Sequence, residues 1–218
     1  MNKYIVFLLI YPLTIFAQEP TDTLSKKDYT EEIIRQLFTD GSRCIESEEW
    51  ALARKHYTEI LQLSPANPTA LFFRAFADEK MGKYNFARAD YEQILSMLPT
   101  HFETRLCLLL LNQRSGHLTE AFDQANQLVA LYPDSLSAIF ARAGVERDLK
   151  MFELAEEDYK TIASRDTLNI DYLLVLMETR LQLQKYSQAE SDLRRLVELG
   201  IPVQSLKEYI LICRKRKR

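Results

Sequence analysis

Apolar side chains recur along this chain with two superimposed spacings. Within short segments they lie three or four residues apart, as at Tyr84, Ala87, Tyr91, Ile94 and Leu98. This is the pattern of an amphipathic helix with one buried face. Over longer distances the pattern recurs, because five alanines stand 34 residues apart. They are Ala53, Ala87, Ala121, Ala155 and Ala189. A fixed period of this length is typical of a helical repeat array.

Each period predicts a first and a second helix joined by a short turn. In the second repeat, the first helix is predicted over residues 69–80, the turn over 81–83 and the second helix over 84–98. Gly82 and Gly116 suit the tight turn between the two helices. The alanine of each second helix is expected where the paired helices cross most closely, since only a methyl group fits between the backbones there.

The repeat resembles the tetratricopeptide repeat (TPR), a helix-turn-helix motif with small residues in both helices, an aromatic residue in the second helix and a closing proline. The matching residues, besides the alanines, are Gly41, Ala75 and Ala143, Tyr57, Tyr91 and Tyr159, and Pro65, Pro99 and Pro133. Repeats three and five depart from the motif. Leu109 and Met177 occupy the small site of the first helix, Ala125 and Leu193 replace the aromatic residue, and Thr167 replaces the proline of repeat four.

The resemblance implies an all-α fold, a right-handed superhelical α-solenoid of about five helix-turn-helix TPR units. A C-terminal capping helix is expected over 203–213, because the last repeat needs a cover for its apolar face. The predicted TPR domain spans 29–213. Its repeats are expected near 34–67, 68–101, 102–135, 136–169 and 170–203.

The N-terminus has the pattern of a secretory signal peptide. Lys3 precedes an apolar run over residues 4–16, and the small residue Ala17 marks a cleavage site. We therefore expect residues 1–17 to be removed on export to the periplasm or beyond. The alternative is an uncleaved anchor, but the run is shorter than the ~20 residues that a membrane-spanning helix needs. Residues 18–28 are polar and are predicted to form a flexible lead-in.

Three cysteines, Cys44, Cys107 and Cys213, would meet an oxidising compartment after export. Cys44 and Cys107 fall in the first helices of repeats one and three, with a whole repeat between them. A disulfide requires Cα atoms within about 7 Å of each other. All three are therefore predicted to be buried thiols.

In TPR proteins the first helices line a concave groove, so the fifth and ninth residues of each repeat are the groove candidates that the resemblance implies. The apolar ones are Phe38, Phe72, Phe76, Leu106, Leu110, Phe140 and Leu174. Such a stripe suits an amphipathic helix or an extended apolar peptide from a partner protein. The alternative is that some of these side chains pack within helix pairs or are covered by the N-terminal segment.

The chain closes with five consecutive cations: Arg214, Lys215, Arg216, Lys217 and Arg218. Because the formal net charge of the whole chain is −3, the remainder is acidic. The basic tail over 214–218 could make a weak contact with an anionic surface, and the alternative is a solvated terminus. Nucleic acid is not expected, because no base-reading motif accompanies the cations.

Residues that carry chemistry are scattered. His56, His101 and His117 lie in different repeats without metal-ligand spacing, and no phosphate-binding loop or nucleophile motif occurs in the sequence. The acidic pair Glu156-Glu157 is interpreted as the exposed start of a second helix. We predict no catalytic residue, metal or cofactor.

The predicted function is a non-enzymatic protein–protein interaction scaffold of the bacterial periplasm or cell envelope, which binds a protein or peptide segment in an apolar concave groove. The alternative is a structural subunit of a permanent envelope complex or a homodimer. The sequence does not identify the partner.

Overall fold

The computed structural model describes residues 26–215. The predicted signal peptide, residues 18–25 of the predicted lead-in and residues 216–218 of the predicted basic tail lie outside the described residues. Eleven helices and no strands occupy the described part of the chain. They are α1 (Lys26–Glu46), α2 (Trp50–Leu63), α3 (Pro68–Lys80), α4 (Tyr84–Met97), α5 (Phe102–Arg114), α6 (Leu118–Leu131), α7 (Leu136–Asp148), α8 (Phe152–Arg165), α9 (Ile170–Gln182), α10 (Tyr186–Glu198) and α11 (Lys207–Lys215).

Consecutive helices pack against each other from α1 to α11, so the core is a continuous stripe between helix pairs. The five second helices begin at Trp50, Tyr84, Leu118, Phe152 and Tyr186, each 34 residues after the last. The all-α solenoid of helix-turn-helix units predicted from the alanine period is therefore confirmed.

The two ends of the array differ from the expected bounds. Helix α1 begins at Lys26, so residues 26–28 of the predicted lead-in are helical. The last helix begins at Lys207, four residues later than expected. Between Pro202 and Lys207 the backbone forms a turn, in which Leu206 N donates to Val203 O at 3.1 Å. Leu206 is only 3% exposed and anchors this turn in the core.

The N-caps of the first helices recur with the same period. The side chain of the residue before each of α3, α5, α7 and α9 accepts a hydrogen bond from a backbone N–H of the first turn. These capping residues are Asn67, His101, Ser135 and Asn169. Such a cap satisfies a backbone donor that has no partner within the helix. The caps fix where each of these four repeats begins.

The turn inside each pair places one residue in the left-handed region at every repeat. The φ values are 58° at Glu48, 73° at Gly82, 82° at Gly116, 62° at Lys150 and 59° at Gln184. Glycine adopts this conformation freely, but a residue with a Cβ does so at a cost. Three of the five turns are therefore strained.

The alanine series lies at the helix crossings, and all five alanines are 0% exposed. In repeat one, a Cβ added to Gly41 would lie 2.8 Å from Cζ of Tyr57, so no larger side chain fits there. In repeat three the sizes are exchanged, since Leu109 and Ala125 occupy these two positions and both are 0% exposed. The departures from the repeat motif therefore compensate each other in volume.

Charged side chains also enter the core, at positions that repeat. Arg54 of α2 donates to Asp78 of α3 at 2.6 Å, and 102 residues later Glu156 of α8 accepts from Arg180 of α9 at 3.1 Å. The two pairs occupy the same register with the charges reversed. The interpretation of Glu156 as an exposed residue was wrong, because it is 7% exposed and also pairs with Lys185.

The corresponding acid in repeat four lacks such a partner. Glu146 of α7 is 4% exposed, and the sequence places Phe122 at the register that Arg54 occupies. Glu146 lies 3.8 Å from Arg142, but Arg142 makes two closer hydrogen bonds to Asp158, at 2.7 Å each. Burial and the nearby Asp158 charge together raise the pKa of Glu146 to about 7.

The cysteines partly follow the expectation. Cys44 is buried and Cys107 is half-buried, and both carry free thiols. Cys213, within α11, is 0% exposed. Burial is the largest cause that raises the pKa of the Cys107 thiol.

Candidate functional site

The candidate site is the surface of the first helices, here called the first-helix face: α1, α3, α5, α7 and α9 with the fifth and ninth residues of their repeats. Polar side chains join these helices across consecutive pairs. Glu79 of α3 pairs with Arg114 of α5, and Gln113 Nε2 donates to Asp148 Oδ2 of α7 at 2.7 Å. Both contacts link residues 35 apart in the sequence, so they form one polar edge along the face.

The fifth residues contribute to the core as well as to the surface. Where the fifth residue is phenylalanine, its ring contacts the buried tyrosine of the paired second helix. The ring centroids are 6.0 Å apart for Phe38 and Tyr57, 5.8 Å for Phe72 and Tyr91, and 5.8 Å for Phe140 and Tyr159. All three phenylalanines are half-buried and keep part of their surface in solvent.

The rings of Phe72 and Phe140 also reach the start of the next first helix. Phe72 lies 6.4 Å from the ring of His101, the N-cap of α5, and Phe140 lies 5.4 Å from the ring of Tyr172 in α9. Leu106 packs against the core cluster shared by repeats three and four, and Leu174 packs against the cluster of repeat five and α11. Substitution at a fifth position would therefore disturb the junction between repeats together with the surface.

The ninth residues lie nearer the polar edge. Phe76 and Leu110 are half-buried, and the ring of Phe76 lies 5.9 Å from that of Trp50 in an edge contact. Lys80 Nζ lies 5.2 Å from the centroid of the Phe76 ring, a cation–π distance. At repeat two the first-helix face is therefore apolar, with the Lys80 cation beside it.

Further along, Gly144 takes the place that Phe76 and Leu110 hold in earlier repeats. A Cβ added there would meet Gln113 Nε2 at 3.5 Å and the Tyr159 hydroxyl at 4.0 Å, which are ordinary contacts. A Cβ therefore fits at this position of repeat four without a clash, and the face carries no side chain there.

Two separate pockets lie beside fifth residues. One of about 370 Å³ is bordered by Phe72, Leu98 and His101. The other, of about 510 Å³, is bordered by Phe38 and Ser42 on α1. Both are large enough for one or two side chains of a bound peptide.

Helix α11 closes the face at repeat five. The Tyr209 hydroxyl donates to Glu178 Oε1 at 2.6 Å, and this hydrogen bond to a carboxylate raises the pKa of Tyr209 to about 12. Glu178 is the ninth residue of its repeat and lies 4.0 Å from Arg147. A pocket of about 600 Å³ remains between Phe152 of α8 and α11.

The histidines have different structural roles in different repeats. His101 caps α5, and His117 Nδ1 lies 3.0 Å from the Ser115 hydroxyl. His56 lies in α2. Among residues 26–215 there is no group of His, Cys, Asp or Glu side chains that could hold a metal ion. None of the helices described for this chain is both long and apolar enough to cross a bilayer.

Sequence reasoning placed the seven apolar candidates on first helices but missed the polar edge beside them. The signal was available in part, because Glu79 and Arg114, and Gln113 and Asp148, are complementary residues at a common spacing of 35. A spacing alone does not say which side chains meet, since that depends on the rotation between repeats.

Comparisons with known proteins agree on the fold. No protein-family model matches the sequence, and no curated protein does. Among solved structures, MamA of Desulfovibrio magneticus RS-1 (residues 41 to the end) superposes with a TM-score of 0.70 at 17% identity, over 77% of this chain and 94% of that one. The chain therefore has the tetratricopeptide-repeat fold, as its sequence resemblance implied.

Two further structures are similar. A tetratricopeptide repeat protein from Parabacteroides merdae gives a TM-score of 0.68 at 18% identity, over 81% of this chain and 74% of that one. A thermophilic TPR protein of Thermus thermophilus gives a TM-score of 0.57 at 16% identity, over 84% of this chain and 98% of its own. Stacked repeats of this kind create extended concave surfaces suited to binding.

Proposed function

We propose that this chain is an exported, non-enzymatic scaffold of the bacterial periplasm or cell envelope, and that its first-helix face holds an apolar segment of a partner protein. The observation that carries this proposal is the stripe of half-buried apolar side chains beside a polar edge. An apolar centre with a polar rim is the usual anatomy of a binding interface. At Gly144 the face carries no side chain, so the backbone of the first helix can be approached there.

The face suits an amphipathic helix better than a fully polar peptide. Phe76 and Leu110 offer apolar contact at successive repeats, and helical ligands present anchors at i, i+3 or i+4 and i+7 to such grooves. Lys80 places positive charge beside Phe76, whereas Arg114 is paired with Glu79 and Asp148 adds an acid, so the polar edge is mixed in charge. An acidic residue next to the apolar anchor at Phe76 would complement Lys80.

Site-specific crosslinking tests the proposal. A photoreactive amino acid replaces Leu110 on the first-helix face or, as a control, Leu154, which is 46% exposed on the second helix α8. Irradiation of intact cells of the native host should give discrete adducts from position 110 and few from position 154. Equal adducts at both positions would contradict binding at this face.

The mass of the purified protein in solution distinguishes the proposed scaffold from the alternative, a permanent complex or homodimer. A scaffold that binds its partner reversibly should be monomeric when purified at micromolar concentration. A stable dimer whose interface protects the first-helix face from solvent would favour the alternative, because large apolar patches are seldom left uncovered on monomers.

A further inference from the structure

Where repeat one meets repeat two, a cation of the protein itself lies against two aromatic rings. Lys80 Nζ lies 5.8 Å from the ring centroid of Trp50 and 5.2 Å from that of Phe76. Both are cation–π distances, at which the ring attracts a positive charge. The ammonium group of Lys80 therefore occupies an aromatic site at this junction between repeats.

The junction between repeats four and five has the same register, 102 residues later in the sequence. The corresponding residues of the two junctions are Trp50 and Phe152, Phe76 and Glu178, and Lys80 and Gln182. At these three positions the later junction keeps an aromatic residue, gains an acid and has a neutral side chain in place of the cation.

A pocket of about 600 Å³ lies at the later junction, where α11 closes the first-helix face. Three half-buried aromatic residues border it: Phe152 of α8, Tyr186 of α10 and Tyr209 of α11. Glu178 and Gln182 of α9 border it as well. The volume is within the range of ligand-binding pockets, and the lining combines aromatic surface with a few polar groups, as such pockets do.

The Glu178 carboxylate gives this pocket its negative charge. Its Oε1 accepts a hydrogen bond from the Tyr209 hydroxyl at 2.6 Å. Its Oε2 lies 4.0 Å from Arg147 Nη1, which is longer than a hydrogen bond. The Glu178 side chain is 36% exposed, so a donor from outside the protein can approach the carboxylate. Arg147 also borders the pocket, and an entering cation would compete with it for Oε2.

We propose that this pocket binds the cationic side chain of a lysine or arginine in the partner segment. The assignment rests on the proposed function, because it concerns the segment that lies on the first-helix face. The rings of Phe152, Tyr186 and Tyr209 would attract the cation, and Glu178 would accept a charge-assisted hydrogen bond from it. The ligand cation would take the role that Lys80 has at the earlier junction.

Other side chains suit the pocket less well. An acidic side chain would be repelled by Glu178, and an apolar one would desolvate this carboxylate without giving it a new partner. A basic residue here also gives the segment a direction. Lys80 at repeat two attracts an acid, so a segment with an acid at that end and a base at repeat five would bind in one orientation.

Titration of the purified protein, in its exported form, with two small probes tests the pocket. The lysine probe is Nα-acetyl-lysine methylamide. The neutral probe is the norleucine analogue, which keeps the aliphatic chain and lacks the ammonium group. NMR signals of the rings of Phe152, Tyr186 and Tyr209 report binding. The lysine probe should shift these signals and bind at least about tenfold more tightly than the neutral probe.

Two variants separate the carboxylate from the aromatic site. Glu178→Gln keeps an acceptor for the Tyr209 hydroxyl but removes the charge, so it should weaken binding of the lysine probe about fivefold. Gln182→Lys supplies a cation from the protein itself and should weaken binding about tenfold. The matched controls, Glu120→Gln on α6 and Gln62→Lys on α2, make the same changes at exposed positions of other repeats and should stay within about twofold of wild type.

Absence of binding by the lysine probe, or equal affinity for the two probes, would overturn the proposal. So would ring shifts confined to residues outside the pocket, or unchanged binding in Gln182→Lys. The probes bind without a partner protein, whereas crosslinking from position 110 requires one. Failure of the pocket with crosslinking intact would therefore reject this inference alone, and loss of crosslinking specificity with the pocket intact would reject the proposed function alone.

Discussion

At two facing positions inside each helix pair, a small side chain is matched with a large one. Gly41 makes room for Tyr57, and the ring fills that space to within 2.8 Å of an added Cβ. In repeat three the first helix carries the large residue, Leu109, and the second helix carries the small one, Ala125. Repeat five has side chains of intermediate size at both positions. Close-packed cores conserve total volume across facing side chains, so either order is stable.

A double-mutant cycle tests this volume exchange. Leu109→Ala should destabilise the protein by about 2–4 kcal/mol through a cavity, and Ala125→Tyr by about 1–3 kcal/mol or more through overpacking. The double variant has alanine on the first helix and tyrosine on the second, as repeat two does. Its loss of unfolding free energy should therefore be smaller than the sum of the losses in the two single variants. Denaturant unfolding of the four proteins measures the coupling, and strictly additive effects would contradict direct packing.

Glu146 is expected to make stability depend on pH. Its pKa in the folded protein is about 7, above the usual 4.5, so the folded state holds this proton more tightly than the unfolded chain does. Stability contributed by the neutral acid is present below about pH 4.5 and is lost as the pH rises towards 7. Glu146→Gln should therefore stabilise the protein at pH 8, by on the order of 1–3 kcal/mol, and have little effect near pH 4.5.

The measurement is the difference in unfolding free energy between Glu146→Gln and wild type, taken at several pH values. A matched control is Asp90→Asn. Asp90 accepts two hydrogen bonds from Arg74, at 2.7 and 2.6 Å, so the variant should destabilise the protein at neutral pH. A Glu146→Gln effect that does not change with pH would contradict the account of Glu146.

At the scale of the helix pair, the structure depends on caps and turns more than on the closing prolines. Helix α8 ends at Arg165, in the same register as Leu63, Met97 and Leu131, although Thr167 replaces the proline there. The following first helix is nevertheless capped by Asn169. Proline therefore reinforces a helix end that packing and capping already determine.

At the left-handed residue of each turn, a change to glycine and a change from glycine should alter the stability of the protein in opposite directions. Lys150→Gly should stabilise the protein by up to about 1 kcal/mol, because glycine removes the cost of a Cβ at φ 62°. Gly82→Ala should destabilise it by about 1 kcal/mol for the same reason. No atom lies within 4 Å of a Cβ added to Gly82, so the effect is conformational rather than steric. Thermal unfolding checks both, and changes of the same sign would contradict the explanation.

For the whole molecule, the sequence predicted the repeat architecture because helix periodicity and the 34-residue period are local signals, visible at residues such as Ala87 and Ala121. It could not predict how far Phe72 and Phe140 enter the junction between repeats, or that Glu156 is buried. Those contacts depend on the rotation and spacing between repeats, which many side chains set together. The polar edge of the first-helix face escaped prediction for the same reason.

Export of the protein to the periplasm or beyond stays a prediction. The exported protein should begin at Gln18, because cleavage is expected after Ala17. Mass spectrometry of the protein from fractionated host cells measures its N-terminus and its compartment. An intact N-terminus at Met1 in the cytosolic fraction would contradict a periplasmic role and leave the helical fold unaffected.

The most direct test of the central claim is to add a long polar side chain at Gly144 on the first-helix face. Gly144→Gln adds a side chain that meets no atom closer than 3.5 Å at its Cβ, and in a helix this change should stabilise by up to about 1 kcal/mol. Crosslinking from position 110 to the partner should then fall about tenfold or more, whereas Leu154→Gln on α8 should leave it unchanged. Undiminished crosslinking in Gly144→Gln would contradict the claim that a partner segment lies along this face.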